Sequence, residues 1–244
     1  MAERGRVRVE VGQKRVRGMV GGEVVVDTTA PLLVWEKPHY PTYYFSADGI
    51  RSDLLIDAGE TRRSPSLGGA KVYSIATDEF EIDDAVLGYD DSPIEEINGT
   101  FRVEWDAMDH WFEEDEEIYV HPRDPYKRVD ALKSSRHVVV SIDGVEVANS
   151  TSPVVLFETG LPPRYYLPKT DVHMDLFVPS ETSTECPYKG TAEYWSVEIG
   201  DTLYEDLVWS YPFPARESAP IAGLVSFYNE KVDITLDGEP LERP

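Results

Sequence analysis

The sequence predicts a mainly β protein, built as two tandem copies of one domain, each with antiparallel sheets and one short helix. Short β-branched or aromatic runs alternate with Gly, Pro and Asp along the chain, a pattern typical of antiparallel strands. The chain also aligns with itself, which is the signature of a duplicated domain. Its hydrophobic content of 41% and aromatic content of 11% are those of a folded chain.

The internal repeat aligns Gly22–Tyr89 with Gly144–Tyr211 without a gap, and 17 of the 68 positions are identical. Beyond Tyr89 we expect the register to slip by six, so that Trp111-Phe112 matches Phe227-Tyr228 and Ile118 matches Ile234. The predicted domains are residues 1–122 and 137–244. Residues 123–136, which contain Pro125, are expected to form the crossover linker between them.

Strands are predicted at 24–26, 32–35 and 43–45 in the first copy. The corresponding strands of the second copy are predicted at 138–142, 154–157 and 165–167, followed by two more at 192–199 and 203–209. Asp143-Gly144 predicts a type I′ hairpin turn, which requires positive φ at both central residues. The helical spacing of Met108, Trp111 and Phe112, and that of Ile221, Leu224, Val225 and Tyr228, predicts one short helix in each copy.

Composition excludes several classes of function. The 46 acidic and 23 basic residues give a net charge of −23, which repels nucleic acid and leads us to expect no such partner. No apolar run is long enough to span a membrane, and no export signal is recognisable, so we expect a cytoplasmic protein without a membrane partner. A single cysteine excludes an internal disulfide and a cysteine-cluster zinc site, and the five scattered histidines suggest no other metal site.

Acidic residues are concentrated in residues 78–117, called here the acidic stretch. It contains 17 acids and one base, Arg102, so it carries 17 − 1 = 16 of the 23 net negative charges. Such a run is typical of a solvated surface. It is also compatible with a docking surface for a basic protein partner, and the sequence leaves both interpretations open.

Differences between the two copies serve as an internal control, because chemistry present in one copy only is a candidate for function. Cys186, Tyr188 and Lys189 stand where the first copy has Ser64, Ser66 and Leu67, and Trp209 stands where it has Leu87. A Tyr-Lys-Gly turn places an ammonium group beside aromatic rings, which suits a planar or anionic ligand. The asymmetry predicts a site in the second copy.

The predicted ligand-binding residues of the second copy are Tyr188, Lys189, Tyr194, Trp195, Trp209, Tyr211, Glu158 and Tyr165. A second, degenerate pocket is predicted in the first copy near Trp35, Tyr43 and Tyr73. Cys186 and Lys189 are candidate catalytic residues, since a thiolate or a desolvated amine can act as a nucleophile. The alternatives remain open: a lone cysteine is often a small buried hydrophobe, and tryptophans in strands often belong to a core.

Four segments occur together in a way that resembles the family called domain of unknown function 427. They are Cys186–Ala192, Tyr194–Val197, Trp209–Pro212 and Ile221–Tyr228. The resemblance implies a small β-tent, two antiparallel sheets that meet at an angle, related to folds that hold zinc through Cys-x-x-Cys pairs. This chain has no such pair, so we expect no zinc. The family is sometimes labelled a nucleotidyltransferase domain, but the Gly-Ser and Asp-x-Asp pattern of polymerase-type transferases is missing here.

Three functions follow as hypotheses. The first is binding of a small planar or anionic molecule in an aromatic-lined pocket of the second copy. The second is an enzyme of the transferase or hydrolase type that uses Cys186 or Lys189. The third is a protein-interaction module that uses the acidic stretch. The identity of a ligand, substrate or cofactor does not follow from the sequence.

Overall fold

A computed structural model of the chain describes residues 7–77 and 79–244. The first six residues of the predicted first domain, and Asp78 of the acidic stretch, lie outside the described residues. The chain divides into two compact units, Met1–Asp124 and Pro125–Pro244. They are called here the N-terminal and the C-terminal repeat, and each is described by itself.

The N-terminal repeat contains two antiparallel sheets. The strands are β1 (Arg8–Val11), β2 (Val16–Val20), β3 (Glu23–Thr28), β4 (Leu32–Trp35), β5 (Thr42–Ser46), β6 (Leu55–Ser64), β7 (Gly68–Ala76), β8 (Glu81–Asp91), β9 (Thr100–Val103), β10 (His110–Glu113) and β11 (Glu116–Ile118). A seven-stranded sheet has the order β1-β4-β5-β9-β8-β7-β6, and a four-stranded sheet has the order β11-β10-β2-β3.

The C-terminal repeat has the same architecture. Its strands are β12 (Val129–Lys133), β13 (Val138–Ile142), β14 (Val145–Ser150), β15 (Val154–Glu158), β16 (Arg164–Leu167), β17 (Phe177–Cys186), β18 (Gly190–Ile199), β19 (Thr202–Ser210), β20 (Val225–Phe227), β21 (Asp233–Leu236) and β22 (Glu239–Pro240). The sheet orders, β12-β15-β16-β20-β19-β18-β17 and β14-β13-β21-β22, match those of the first repeat strand for strand. The predicted fold class, two mainly β domains in tandem, is therefore confirmed.

Two local features bear on the predicted boundaries. Strand β12 lies inside the segment 123–136 that was expected to be a linker, and it pairs along its whole length with β15. The hairpin between β13 and β14 turns at Asp143 and Gly144, whose φ angles are 49° and 80°. The prediction of positive φ at both central residues of this turn is confirmed.

Helical structure in the described residues consists of short 3₁₀ segments: Ala47–Gly49, Ser52–Leu54, Glu95–Ile97, Trp105–Ala107, Lys169–Asp171, Met174–Leu176 and Arg216–Ile221. The helix predicted through Met108, Trp111 and Phe112 is wrong, because His110–Glu113 is strand β10. The helix predicted from Ile221 to Tyr228 is also wrong, since Ile221 ends a 3₁₀ segment and Val225–Phe227 is strand β20. In both places a run of buried residues next to a 3₁₀ turn imitates helical spacing.

The register of the repeat after Tyr89 also differs from the expectation. Tyr166 pairs with Ser226, as Tyr44 pairs with Arg102, so Ser226 and Arg102 are equivalent. By the same comparison with β2 and β13, Trp111 corresponds to Ile234 and not to Phe227. The predicted slip of six residues is wrong. At these points the C-terminal repeat has only one or two more residues than the N-terminal repeat. Insertions this small are hard to recognise in the sequence between short aromatic strands.

Each seven-stranded sheet is covered by apolar residues on both faces. One face packs against the four-stranded sheet, and its core includes Tyr43 and Trp111 in the N-terminal repeat and Tyr165 and Phe227 in the C-terminal repeat. The opposite face, called here the outer face, has its own cluster in each repeat. Because successive strand residues point to opposite faces, adjacent residues of one strand serve different clusters.

Candidate functional site

The outer face of the C-terminal repeat collects four of the eight predicted ligand-binding residues in the neighbourhood of one aromatic cluster. Tyr194, Trp209 and Tyr211 belong to this cluster together with Tyr166, and Lys189 approaches it from the turn at its edge. Trp209 and Tyr166 are both paired with Ser226 on the intervening strand β20. The pairing of three central strands therefore fixes the geometry of the cluster.

Glu158 and Tyr188 complete the predicted set on this side, whereas two other predicted residues lie elsewhere. Glu158 ends β15 and is 8% exposed, and Tyr188 is 9% exposed in the turn between β17 and β18. Tyr165 and Trp195 belong to the core between the two sheets, because each is the strand neighbour of an outer-face residue. The sequence analysis therefore grouped residues that are adjacent in a strand but point to opposite faces of the sheet.

Hydrogen bonds hold the aromatic rings in place. The indole N–H of Trp209 donates to the hydroxyl of Tyr166 over 3.1 Å, and the two rings meet edge to face. The hydroxyl of Tyr194 lies 3.0 Å from Thr184 Oγ1 and 3.3 Å from the hydroxyl of Tyr228. Each ring therefore has a polar anchor as well as an apolar contact surface.

The turn at Cys186–Gly190 directs Lys189 towards the cluster. The backbone N–H of Lys189 donates to the carbonyl of Cys186 over 3.2 Å, and Gly190 has a φ of 95°, in the region that favours glycine. Lys189 Nζ forms a short ion pair with Glu158 Oε2, while Lys127 Nζ lies 3.6 Å from Glu158 Oε1. One buried carboxylate therefore holds two ammonium groups.

Two more cations flank the same rings. The guanidinium of Arg164 lies 5.7 Å from the centre of Trp209 and 6.0 Å from that of Tyr228, and it pairs with Glu230 through bonds of 2.6 and 2.8 Å. Lys231 Nζ lies 5.0 Å from the centre of Tyr228. Asp206 interacts electrostatically with Lys231. Four bases (Lys127, Arg164, Lys189 and Lys231) and three acids (Glu158, Glu230 and Asp206) therefore give 4 − 3 = +1 around this cluster.

Ionisation of the tyrosines is suppressed by their surroundings. Burial raises the pKa values of Tyr166 and Tyr211, and the nearby Cys186 and Glu158 add to both shifts. Burial, followed by the hydrogen bond with Tyr194, also raises the pKa of Tyr228. The phenols therefore remain neutral hydrogen-bonding groups at physiological pH, and the half-buried Cys186 thiol lies near two of them.

The outer face of the N-terminal repeat keeps the scaffold but not this chemistry. Tyr44 and Tyr89 stand where the other copy has Tyr166 and Tyr211, but Val72, Leu87 and Leu67 replace Tyr194, Trp209 and Lys189. The equivalent carboxylate, Glu36, accepts a hydrogen bond from Tyr44 over 3.0 Å and pairs with Arg102.

The residues of the predicted degenerate pocket are not on this face. Trp35, Tyr43 and Tyr73 all pack into or against the core between the two sheets. Of the three, only Tyr43 lines a described cavity, and the other residues of that cavity were not predicted.

Sequence reasoning also missed Tyr166, Arg164, Lys127 and Tyr228 in the C-terminal repeat. Tyr166 has an identical counterpart, Tyr44, but so does the predicted residue Tyr211, so identity between the copies does not explain its omission. Arg164 could have been found, since the equivalent Thr42 is uncharged. Lys127 lies in a segment where the two copies were not aligned. Tyr228 lies in a segment where the predicted alignment was wrong.

The acidic stretch runs through both sheets of the N-terminal repeat. Several of its acids have basic partners within that repeat: Asp84 pairs with Arg62, Asp90 with Lys71, Asp115 with Arg17 and Glu113 with Lys14. Basic residues of the same repeat therefore balance part of the negative charge of the acidic stretch.

Two observations on residues 7–77 and 79–244 concern membrane-spanning and metal-binding proteins. No helix in this part of the chain is both long and apolar enough to cross a membrane. The same residues contain no group of three or more His, Cys, Asp or Glu side chains that could hold a metal ion.

Comparison with known proteins gives one match. No curated protein matches the chain significantly. A family model described as a domain of unknown function (DUF427) matches twice, over residues 8–114 and over residues 130–238, so that both repeats are covered. The chain belongs to the DUF427 family, with two copies of the domain in tandem.

Proposed function

We propose that the C-terminal repeat binds a small planar anion at its outer face. The observation that carries this proposal is electrostatic: in a chain with a net charge of −23, the aromatic cluster around Trp209 is surrounded by a local charge of +1. A local excess of cations attracts an anion, and a low-dielectric surround strengthens that attraction.

The aromatic rings supply the second half of the recognition. Trp209 and Tyr228 lie 4.6 Å apart, centre to centre, and both contact Arg164. Tyr228, Arg164, Cys186 and Lys189 are all partly exposed, whereas Trp209 and Tyr211 are buried behind them. A ligand ring would therefore stack at the exposed edge of the cluster, as in most small-molecule sites, where apolar walls combine with a few polar groups.

Glu158 has a supporting role in this proposal. Its carboxylate holds Lys189 and Lys127 close together at the edge of the cluster, and one ammonium charge is left over for the ligand. Because Lys189 already pairs with Glu158, we assign it to charge recognition and not to covalent catalysis. Cys186 contributes to the wall of the site.

The test is a thermal-shift screen with aromatic carboxylates and small phosphorylated metabolites. It compares the wild type with the variant Lys189→Leu, which removes one positive charge from the edge of the cluster and leaves Glu158 paired with Lys127. A ligand at about 100 times its Kd adds about 2.7 kcal/mol, which is a shift of several degrees. We expect a stabilising anion for the wild type and no shift for Lys189→Leu.

Lys169→Leu provides the matched control. Lys169 Nζ also lies over an indole ring, 4.9 Å from the centre of Trp195, but Trp195 packs against the other face of the sheet. This variant is expected to keep the full shift. A hit that Lys189→Leu retains in full, or that Lys169→Leu abolishes, would contradict the proposed site.

A further inference from the structure

Phe213 is the most exposed large apolar side chain among the described residues, with 92% of its surface accessible. It lies in the loop that follows β19, between Pro212 and Pro214. The two prolines restrict the backbone on both sides, so the loop presents this ring to solvent with little conformational freedom. Single exposed apolar residues are common on protein surfaces, and the meaning of this one therefore depends on its neighbours.

The loop that carries Phe213 is joined to the turn that carries Lys189. The N–H of Ala215 donates to the carbonyl of Lys189 over 3.0 Å. A Cβ atom at Gly190 would lie 3.1 Å from the carbonyl oxygen of Phe213, so the two segments are in close contact. A fully buried serine, Ser218, joins them again, because its Oγ donates to the carbonyl of the residue before Lys189 over 3.1 Å. The loop and the turn therefore form one fixed edge of the candidate site.

The N-terminal repeat has the same backbone contact but different side chains. A Cβ atom at Gly68 would lie 3.1 Å from the carbonyl oxygen of Asp91, so Asp91 is the equivalent of Phe213. Leu67 stands in place of Lys189 and is 5% exposed. The ammonium group and the exposed ring thus occur together in one repeat and are both absent from the other. This joint difference indicates that Lys189 and Phe213 serve the same ligand.

The ion pairs beside this edge leave one positive charge. Lys189 and Lys127 share Glu158, and neither lysine has a second acid within ion-pair distance among the described residues. These three groups have a net charge of 2 − 1 = +1. The other two bases of the aromatic cluster interact with acids of their own. One carboxylate group would therefore neutralise the site, whereas a phosphate dianion would leave an unpaired negative charge.

We infer that the ligand of this site is an aromatic monocarboxylate and that Phe213 determines the preference for an aromatic body. This inference rests on the proposed function and names the ligand class. The carboxylate of the ligand lies against the ammonium groups of Lys189 and Lys127. Its ring lies at the edge of the cluster and is covered by Phe213. Two aromatic rings attract each other in stacked or edge-to-face geometry, which a saturated ring cannot reproduce.

The experiment is isothermal titration calorimetry of the full chain at pH 8 with benzoate, cyclohexanecarboxylate and phenyl phosphate. The second probe keeps the charge and removes the aromaticity, and the third keeps the ring and is a dianion at this pH. We expect benzoate to bind at least fivefold more tightly than either. Equal or tighter binding of one of the other two would overturn the inference. So would the absence of benzoate binding while another planar anion stabilises the protein, and the proposed function would then stand without it.

Three variants locate the binding. Phe213→Ala is expected to weaken benzoate about fivefold without changing the melting temperature, because the ring is exposed in the free protein. Leu203→Ala is the matched control: Leu203 is 51% exposed at the opposite end of β19, and benzoate binding should not change. Lys189→Leu should remove binding. If it does, but Phe213→Ala has no effect, the role of Phe213 is wrong and the proposed function stands. Binding that neither variant changes would reject both.

Discussion

The two repeats have the same strand order but different ion pairs at comparable places. In the C-terminal repeat, Glu158 is outnumbered by Lys127 and Lys189, and the aromatic cluster has a surplus of positive charge. In the N-terminal repeat, the equivalent Glu36 pairs with Arg102, which also pairs with Glu104, and Glu104 lies 3.8 Å from a second base, Arg62. The comparison shows that the carboxylate belongs to the scaffold, whereas the cation that neutralises it comes from a different strand in each copy.

This exchange of cations has a simple physical basis. A partly buried carboxylate needs a partner, but the fold does not specify which neighbouring strand provides it. In the C-terminal repeat, the small residue Ser226 lies between Tyr166 and Trp209, and the cations come from the edges of the site. In the N-terminal repeat, Arg102 itself occupies the equivalent position. Each repeat can therefore acquire its own ligand preference without a change of fold.

The largest expected effect, and the strongest test of this comparison, comes from removing the carboxylate that is present in both repeats. Glu158→Leu leaves Lys189 and Lys127, whose side chains are 14% and 17% exposed, without their acid. We expect a loss of about 3 kcal/mol in the free energy of unfolding, because an uncompensated buried charge is costly. The matched variant Glu36→Leu should cost less, since Arg102 keeps Glu104. Urea unfolding measures both, and equal losses would show that the two carboxylates have the same role.

A smaller effect is expected at the aromatic position that distinguishes the two copies. Trp209→Leu restores the residue type of Leu87 but leaves a void beside Tyr166, which also loses its hydrogen-bond donor. We expect a loss of about 2 kcal/mol in the free energy of unfolding. Trp195→Leu is the control and should cost less, because Trp195 is only partly buried. A loss at position 209 no larger than at position 195 would argue against a tightly packed cluster.

The smallest effect concerns the pH dependence of the ion pair between Arg164 and Glu230. The hydrogen bonds from Arg164 lower the pKa of Glu230, so the pair stabilises the folded state above the unfolded pKa of Glu, about 4.3, and this stability is lost as the pH falls through the lowered value. Glu230 is partly exposed, so the contribution at pH 7 is about 0.5 kcal/mol.

Unfolding of Glu230→Gln between pH 7 and pH 2 tests this. The difference from the wild type should shrink to zero at acidic pH. Asp106→Asn, at the equivalent position of the other repeat, should show no such difference, because Asp106 has no ion pair among the described residues. A difference that persists at pH 2 would mean that Glu230 acts through packing and not through its charge.

Much of the fold could be predicted from the sequence, because duplication preserves the residues that a fold needs. Gly68 and Gly190, Tyr44 and Tyr166, and Asp84 and Asp206 are identical pairs, and each pair has the same backbone role in both copies. The segment around Trp111 was predicted as a helix, since its buried residues follow a 3₁₀ turn and imitate helical spacing. The spacing of buried residues along the chain cannot distinguish a helix from a strand that follows a 3₁₀ turn. Only the pairing with a distant strand distinguishes them.

Sequence reasoning identified only some of the residues of the candidate site. Comparison of the copies identified Lys189 and Trp209, because these residues differ between them. The predicted set omitted Tyr166, although it included Tyr211, which is also identical in both copies. It also grouped Trp195 with Tyr194, although adjacent strand residues point to opposite faces. The cavity that Tyr43 lines was missed altogether, since its wall combines residues from several strands and from the segment at Val120.

The sequence by itself determined the duplication, the β class, the excess of acid and the family. These properties lie in composition and in the order of residues, which need no three-dimensional information to be counted. Only the tertiary structure decided which cations face which carboxylate, and hence the local charge at each site. Electrostatic interactions depend on distance and burial, and the partners here, such as Glu158 and Lys189 or Glu36 and Arg102, are distant in the chain and meet only when the sheets form.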